Sequence, residues 1–187
     1  MKVQEHKVKI FGGKCTAELM HFTKSDAKKL KKLFEAWKKL TSGLKDFKSR
    51  GVNMPEGISE VAFCLYSGSK RFIKVRGAVS GSFDTFNLKT KRAEQIKACS
   101  VEEDLTSFGP RSKWDDLYFI DFYNNGNADG SFDVYKIPDN YIKSASLNKE
   151  QTFEQQQVEK RRPRFSIKKD IIKKHQLKPE AKGVKLW

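Results

Sequence analysis

The segment from Ser80 to Ser100, SGSFDTFNLKTKRAEQIKACS, constrains the fold more than any other part of the chain. It predicts a turn that carries Asp84, a polar hairpin tip, and then a short strand. Successive side chains of a strand point to opposite faces, so Gln95 and Lys97 share one face while Ile96 faces the other. A polar pair on one face of an otherwise apolar strand is unusual for a purely structural element. The segment therefore predicts a site built on a sheet.

The rest of the chain predicts an α/β (α+β) domain in which helices flank a mixed central sheet. The first helix carries its apolar residues at spacings of three and four, namely Leu30, Leu33, Phe34, Trp37 and Leu40. In chain order, the pattern predicts a strand at 2–11, a short helical turn at 15–22, helices at 25–44 and 55–67, strands at 71–75, 93–100, 117–123 and 131–137, and a capped helix at 166–175.

A length of 187 residues suits a single domain. We divide this predicted domain into three parts. Residues 1–49 hold an N-terminal strand and a lysine-rich helix, residues 50–140 hold the core with the site, and residues 141–187 form a basic C-terminal segment.

The formal net charge of +15 favours a polyanionic partner, most often nucleic acid. A basic protein without such a partner is the plainer alternative. The three cysteines lie far apart without CxxC spacing, which argues against a disulfide framework and fits the reducing cytoplasm. No apolar run is long enough to cross a bilayer.

The side chains of the central segment suit metal-assisted hydrolysis of a phosphodiester bond. Mg²⁺ takes hard oxygen ligands and keeps several waters. Asp84 offers a carboxylate, Gln95 an amide oxygen, and Ile96 its backbone carbonyl. Lys97 can hold the scissile phosphate and orient the attacking water, and Glu60 of the second helix can support the metal. Each residue also has a purely structural alternative. Asp84 can cap a turn, Lys97 can be a lysine at the end of a strand, and Glu60 can be an acid on the surface of a helix.

Gln95 is the weakest member of this set, because an amide makes the metal site less anionic than a second carboxylate would. Three acidic residues nearby are candidates to compensate for it: Glu94, Glu102 and Glu103. Glu94 alternates to the far face of the strand unless a bulge turns it inward.

The turn and strand resemble the PD-(D/E)xK nuclease signature, with Phe83-Asp84 in place of Pro-Asp and Gln95 in place of the second acid. Longer blocks, among them RGVNMPEGISEVAFCL, SFDTFN, RRPRFSI and the run from Gln95 to Tyr123, resemble a small family of type II restriction endonucleases that recognises GCNGC. The resemblance implies a Mg²⁺-dependent homodimer that cleaves double-stranded DNA and is paired with a separate DNA methyltransferase. It places catalysis on Asp84, Gln95, Lys97 and Glu60.

Basic residues in three loops are the candidates for DNA contact, through bases or through phosphates. They are Arg50, Arg111, Lys113, Arg161, Arg162 and Arg164. Two alternatives remain for the whole chain: a structure-selective nuclease such as a junction resolvase, and a basic DNA-binding protein without catalysis. Cleavage of linear DNA into discrete fragments would separate both from a restriction enzyme.

Overall fold

The structure, a computed structural model, describes residues 1–77, 81–102, 104–148 and 150–187. Ten strands occur in these ranges: β1 (Lys2–Ile10), β2 (Gly13–His21), β3 (Lys70–Arg76), β4 (Thr85–Asn87), β5 (Arg92–Cys99), β6 (Thr106–Ser107), β7 (Asp116–Asp121), β8 (Phe132–Ile137), β9 (Arg164–Phe165) and β10 (Ala181–Val184). The same ranges contain four α-helices: α1 (Lys24–Asp46), α2 (Glu56–Ser67), α3 (Asp139–Lys143) and α4 (Phe153–Val158).

Eight of these strands form one sheet in the order β1-β2-β3-β4-β5-β7-β8-β10, and β6 pairs with β9 in a small second sheet. Within the large sheet, β5 and β7 run parallel and the other neighbours run antiparallel. The predicted fold class, a mixed sheet flanked by helices, is therefore confirmed.

The two faces of β5 belong to different parts of the core. Ile96 packs in a cluster with the apolar sides of α1 and α2, including Leu30, Phe34 and Phe63. Ala93 lies on the opposite face and packs against β2 and β4. Helices α1 and α2 therefore cover one face of the sheet. On the other face, α3, α4 and the C-terminal Ile171 and Ile172 pack around Leu117 and Phe119 of β7.

Local signals set the ends of both long helices. The carboxylate of Asp26 accepts a hydrogen bond from the Thr23 backbone N–H at 2.9 Å, so α1 begins slightly before the predicted start at Ser25. Pro55 precedes α2, and Gly68 ends it with a φ of 80° in the left-handed region.

Three predictions about elements were wrong or incomplete. The segment predicted as a helical turn at 15–22 belongs, up to His21, to strand β2. Leu33 and Leu40 of α1 are 52% and 55% exposed, because the helix buries its other side, which carries Ala27, Leu30, Phe34 and Trp37. The segment 166–175 contains a π-helical turn, Lys168–Lys173, with Ile171 and Ile172 buried.

The C-terminal segment contributes to the core as well as to the surface. Strand β10 pairs with β8, and Trp187 packs near Phe34 with their ring centroids 5.8 Å apart. All three cysteines are free and buried. No helix within the described ranges is both long and apolar enough to span a bilayer.

Candidate active site

Backbone hydrogen bonds fix Asp84 just before β4 and between its two neighbours. The Phe72 N–H of β3 donates to the Asp84 carbonyl at 3.0 Å, and the Asp84 N–H donates to the Glu94 carbonyl of β5 at 2.9 Å. Because the backbone is held on both sides, Asp84 has a defined position just before β4.

The side chain of Asp84 reaches across to β5. Its Oδ2 accepts hydrogen bonds from the Ile96 N–H, at 2.7 Å, and from the amide nitrogen of Gln95. Its Oδ1 has no hydrogen-bond donor among the described residues, so it is available to a cation. The N–H and C=O of one strand residue point to the same side, so the Ile96 carbonyl also points towards Asp84.

The amide of Gln95 is turned differently from the sequence-based expectation. Its nitrogen, and not its oxygen, faces Asp84, while its Oε1 lies 3.5 Å from Ser82 Oγ. An acidic neighbour attracts the donor end of an amide, which explains this orientation. Gln95 therefore positions Asp84 in this state, and a half-turn of its terminal amide would present the oxygen instead.

These groups open into one cleft with a volume of about 570 Å³. Asp84, Gln95, Ile96 and Lys97 all line it, so the strand–turn motif forms one surface. The Lys97 Nζ also lies 5.3 Å from the centroid of the Phe108 ring. Further polar side chains line the cleft from the surrounding loops and from α2: Asn53, Glu56, Ser59, Ser82, Asp104, Ser107, Ser112 and Arg162.

The environment raises the pKa of Asp84 to about 7. Burial is the main cause, and the negative charge of Glu60 adds to it. The Ile96 N–H and the charge of Lys97 act in the opposite direction. A carboxyl group in a cleft whose pKa is raised to about 7 is typical of functional sites.

Glu60 influences Asp84 but does not line the cleft. Its side chain is 7% exposed and forms an ion pair with Arg71 of β3. Glu56, one turn earlier on the same face of α2, lines the cleft directly. Sequence reasoning missed Glu56, although its spacing of four from Glu60 could have indicated it.

Replacing Arg71 with leucine should lower the free energy of unfolding by about 2–3 kcal/mol, because Glu60 would stay buried without its partner. Urea unfolding at pH 8 measures this. The double variant Arg71→Leu/Glu60→Gln is the matched control and should regain most of the loss. An equal loss in both variants would show that the ion pair is not the cause.

The three acids suggested as substitutes for Gln95 do not reach the cleft where they are described. Glu94 is buried on the opposite face of β5, where it accepts a hydrogen bond from Thr85 Oγ1 at 2.7 Å. Glu102 forms an exposed ion pair with Lys173. Glu103 lies outside the described residues, as does Ser80. Asp104 is the acid from this segment that lines the cleft.

The predicted DNA-contacting residues fall into three groups. Arg162 lines the cleft itself. Arg50 and Arg164 line an adjoining cleft of about 630 Å³, which shares Asn53, Asp104 and Leu105 with the first. The third group points elsewhere or lies at the surface: Arg161 pairs with Glu159, Arg111 is exposed, and Lys113 stacks over the Phe11 ring.

The donor set suits a magnesium-type ion better than a transition metal. Within the described residues, no group of three or more His, Cys, Asp or Glu side chains is arranged to hold a metal. The Asp84 turn and β5 instead offer one carboxylate oxygen, one backbone carbonyl and one amide, and the carboxylates of Glu56 and Asp104 line the same cleft. Mg²⁺ fits such a set, because it keeps several waters and takes further oxygens from a bound phosphate.

Comparison with known proteins identifies relatives of this chain. A family model described as the Bsp6I restriction endonuclease matches residues 22–174. The chain belongs to the Bsp6I restriction endonuclease family. The type II restriction enzyme Bsp6I of Bacillus sp. (strain RFL6) is 35% identical over 154 residues, which cover 81% of this chain and 83% of that enzyme. No solved structure gives a significant match.

As a member of the Bsp6I family, the chain is a type II restriction endonuclease, a hydrolase that cleaves DNA at defined sites. Its substrate is DNA, in agreement with the net charge of +15. Membership also indicates dependence on a divalent metal ion. The resemblance found in the sequence is therefore confirmed at the level of the family, and the restriction-enzyme hypothesis is favoured over a resolvase or a binding module.

Proposed function

We propose that the enzyme hydrolyses phosphodiester bonds in double-stranded DNA with Mg²⁺, at a short pseudo-palindromic sequence that we take to be GCNGC. The observation that carries this proposal is the cleft in which Asp84, Gln95, Ile96 and Lys97 converge. The target sequence is supported by the resemblance of the segments around this cleft to the family that recognises GCNGC.

We assign Asp84 Oδ1, the Ile96 carbonyl and the amide oxygen of Gln95 as the protein ligands of Mg²⁺. When bound, the ion would offset the charge that develops on the phosphate and make a water nucleophilic near neutral pH. Lys97 holds the scissile phosphate and orients the attacking water. Glu60 supports the site from α2, where its charge adds to the effect of burial in raising the pKa of Asp84, and Glu56 is placed to hydrogen-bond water in the cleft.

The arginines and Lys113 hold the DNA around this centre. Arg162 lies in the cleft and contacts the phosphates next to the cleaved bond. Arg50 and Arg164 lie in the adjoining cleft, which continues the path of the strand. Arg111 and Lys113 flank Ser112, which lines the cleft, and contact the DNA from the surface beside it. Arg161 contributes charge from further away.

A two-fold symmetric target calls for a symmetric dimer, so we propose that the enzyme acts as a homodimer. A separate DNA methyltransferase would protect the host sequence. We place the enzyme in the cytoplasm, which accords with its three free, buried cysteines. Analytical ultracentrifugation tests the dimer directly, since one copy has a mass of 21.5 kDa.

Digestion of a plasmid of known sequence with Mg²⁺, followed by sequencing of the fragment ends, tests the proposed target. We expect discrete fragments whose ends all fall within GCNGC. Fragment ends that share a different sequence would contradict the proposed target sequence. They would not contradict the proposed mechanism of hydrolysis. Preference for a four-way junction over a linear duplex would contradict sequence-specific cleavage.

The raised pKa of Asp84 predicts how a divalent ion stabilises the protein at different pH values. A carboxyl whose pKa is higher in the folded state loses its stabilising contribution as the pH rises from about 4 through about 7. Mg²⁺ binds the ionised form, so it should raise the melting temperature more at pH 8 than at pH 5. Differential scanning fluorimetry measures this, and an equal effect at both values would contradict the assignment.

A further inference from the structure

A third cleft, with a volume of about 670 Å³, lies between the β1–β2 hairpin and the turn that joins β4 to β5. Its floor is apolar and includes Val8, Phe86 and Leu88. Among the described residues that line it, five are cationic and none is acidic. The five are Lys7, Lys9, Lys14, Arg76 and Lys91.

The hairpin places like charges against each other. Lys9 of β1 lies directly opposite Lys14 of β2. Like charges in this arrangement destabilise an antiparallel pair. Of the five cations, only Arg76 forms an ion pair within the part of the chain that the structure describes, with Glu5 and Glu18. The fold therefore concentrates positive charge here without neutralising it.

Protection of a sheet edge explains only part of this charge. Strand β1 is the edge of the large sheet, and lysines on an edge strand discourage pairing with other chains. Lys14, however, is on β2, which is paired on both sides. Lys91 is in the turn before β5. A polyanion bound in the cleft accounts for all of these positions.

The hairpin is anchored to the segment that carries the active site. Phe11, in the turn between β1 and β2, packs against Phe83 with their ring centroids 5.8 Å apart, and Phe83 directly precedes Asp84. The Lys113 Nζ lies 4.7 Å from the centroid of the same Phe11 ring. The turn of the hairpin therefore packs directly against the residue that precedes Asp84 and against Lys113, a predicted DNA-contacting residue.

We propose that the β1–β2 hairpin holds the phosphate backbone of the duplex that flanks the recognition sequence, through Lys7, Lys9, Lys14 and Lys91. The proposal rests on DNA being the substrate, and not on the roles given to Asp84 and Lys97. The family match begins at residue 22, so the hairpin lies outside the segment that the family model matches.

The length of the hairpin sets how far this contact reaches. Lys7 is four residues from Phe11, or about 13 Å along an extended strand. At about 3.4 Å per base pair, this corresponds to roughly four base pairs beyond the hairpin turn. The enzyme should therefore bind its target more tightly when several base pairs of duplex extend past it.

Fluorescence anisotropy without divalent metal tests the contact while preventing cleavage. Two duplexes carry the site mapped by fragment-end sequencing, with about 15 or about two flanking base pairs on each side. The triple variant Lys7→Gln/Lys9→Gln/Lys14→Gln should bind the long duplex on the order of 100-fold more weakly at 0.1 M salt. Its salt slope should fall by about 2.7, and its affinity for the short duplex should change little.

A triple variant of α1, Lys28→Gln/Lys32→Gln/Lys39→Gln, removes the same charge from exposed positions that do not line this cleft. It should bind the long duplex within about threefold of the wild type. Equal weakening in the two triple variants would overturn the proposal. So would equal affinity of the wild-type enzyme for the long and short duplexes, a result that needs no variant. Neither outcome would bear on the roles assigned to Asp84 and Lys97 in cleavage.

Discussion

Replacing Lys97 with alanine should lower the rate of plasmid cleavage by about 1000-fold. The ammonium group of Lys97 is the positive charge that β5 presents to the cleft beside Asp84. Its removal takes away the cation beside Asp84, and among the described residues that line the cleft only Arg162 then carries positive charge. Single-turnover cleavage with saturating Mg²⁺ measures the chemical step separately from product release.

Binding of DNA by the Lys97→Ala variant without metal should change by less than about tenfold, because one phosphate contact among many is lost. Lys74→Ala is a matched control, since Lys74 is an exposed lysine on β3 outside the cleft. It should cleave at the wild-type rate. Full cleavage by Lys97→Ala, or an equal loss in both variants, would refute the assigned role.

The Asp84→Asn variant should also lose cleavage by about 1000-fold, and in addition should gain stability. Asparagine has almost the same shape and can still accept a hydrogen bond from the Ile96 N–H. It removes a negative charge that burial and Glu60 both disfavour. The metal-free variant should therefore melt higher than the wild type at pH 8, and the difference should shrink at pH 5.

Melting temperature and cleavage rate, measured on the same protein, distinguish this account from simple misfolding. A misfolded variant would lose both stability and activity. The Glu94→Gln variant is a control, because Glu94 is also a buried carboxyl group with a raised pKa but faces away from the cleft. It should keep its cleavage activity. A stable Asp84→Asn variant that cleaves DNA normally would contradict a metal-binding role.

Local patterns in the sequence were sufficient to predict the centre of the fold. The turn at Asp84 and the alternation of Gln95, Ile96 and Lys97 depend only on the geometry of a single strand. Both helices also follow from the spacing of their apolar residues and from their capping residues. These features need no knowledge of distant contacts.

Strand β2 was mispredicted because its composition and its pairing favour different structures. Ala17, Glu18, Leu19 and Met20 are good helix formers. Pairing with β1 and β3 overrides this preference, and it buries Ala17 and Leu19 completely. The better signal in the sequence was the alternation of apolar Cys15, Ala17 and Leu19 with polar Thr16 and Glu18. Strand β10 was missed because it exists only through pairing with β8.

Details of the site depended on contacts that a sequence does not specify. The amide of Gln95 faces Asp84 with its nitrogen, because the carboxylate attracts a donor. Glu60 is occupied by Arg71, a residue eleven positions away whose proximity comes from the packing of α2 against β3. Glu56 lines the cleft instead and could have been found from its position one turn before Glu60.

The most direct test of the central claim is an anomalous-scattering map of crystals of the enzyme with its target duplex and Mn²⁺ in place of Mg²⁺. We expect a peak within about 2.5 Å of Asp84 Oδ1 and of the Ile96 carbonyl oxygen, with the Lys97 ammonium on the adjacent phosphate. A metal peak bound by other residues, with Asp84 still turned only towards Gln95 and Ile96, would contradict the account.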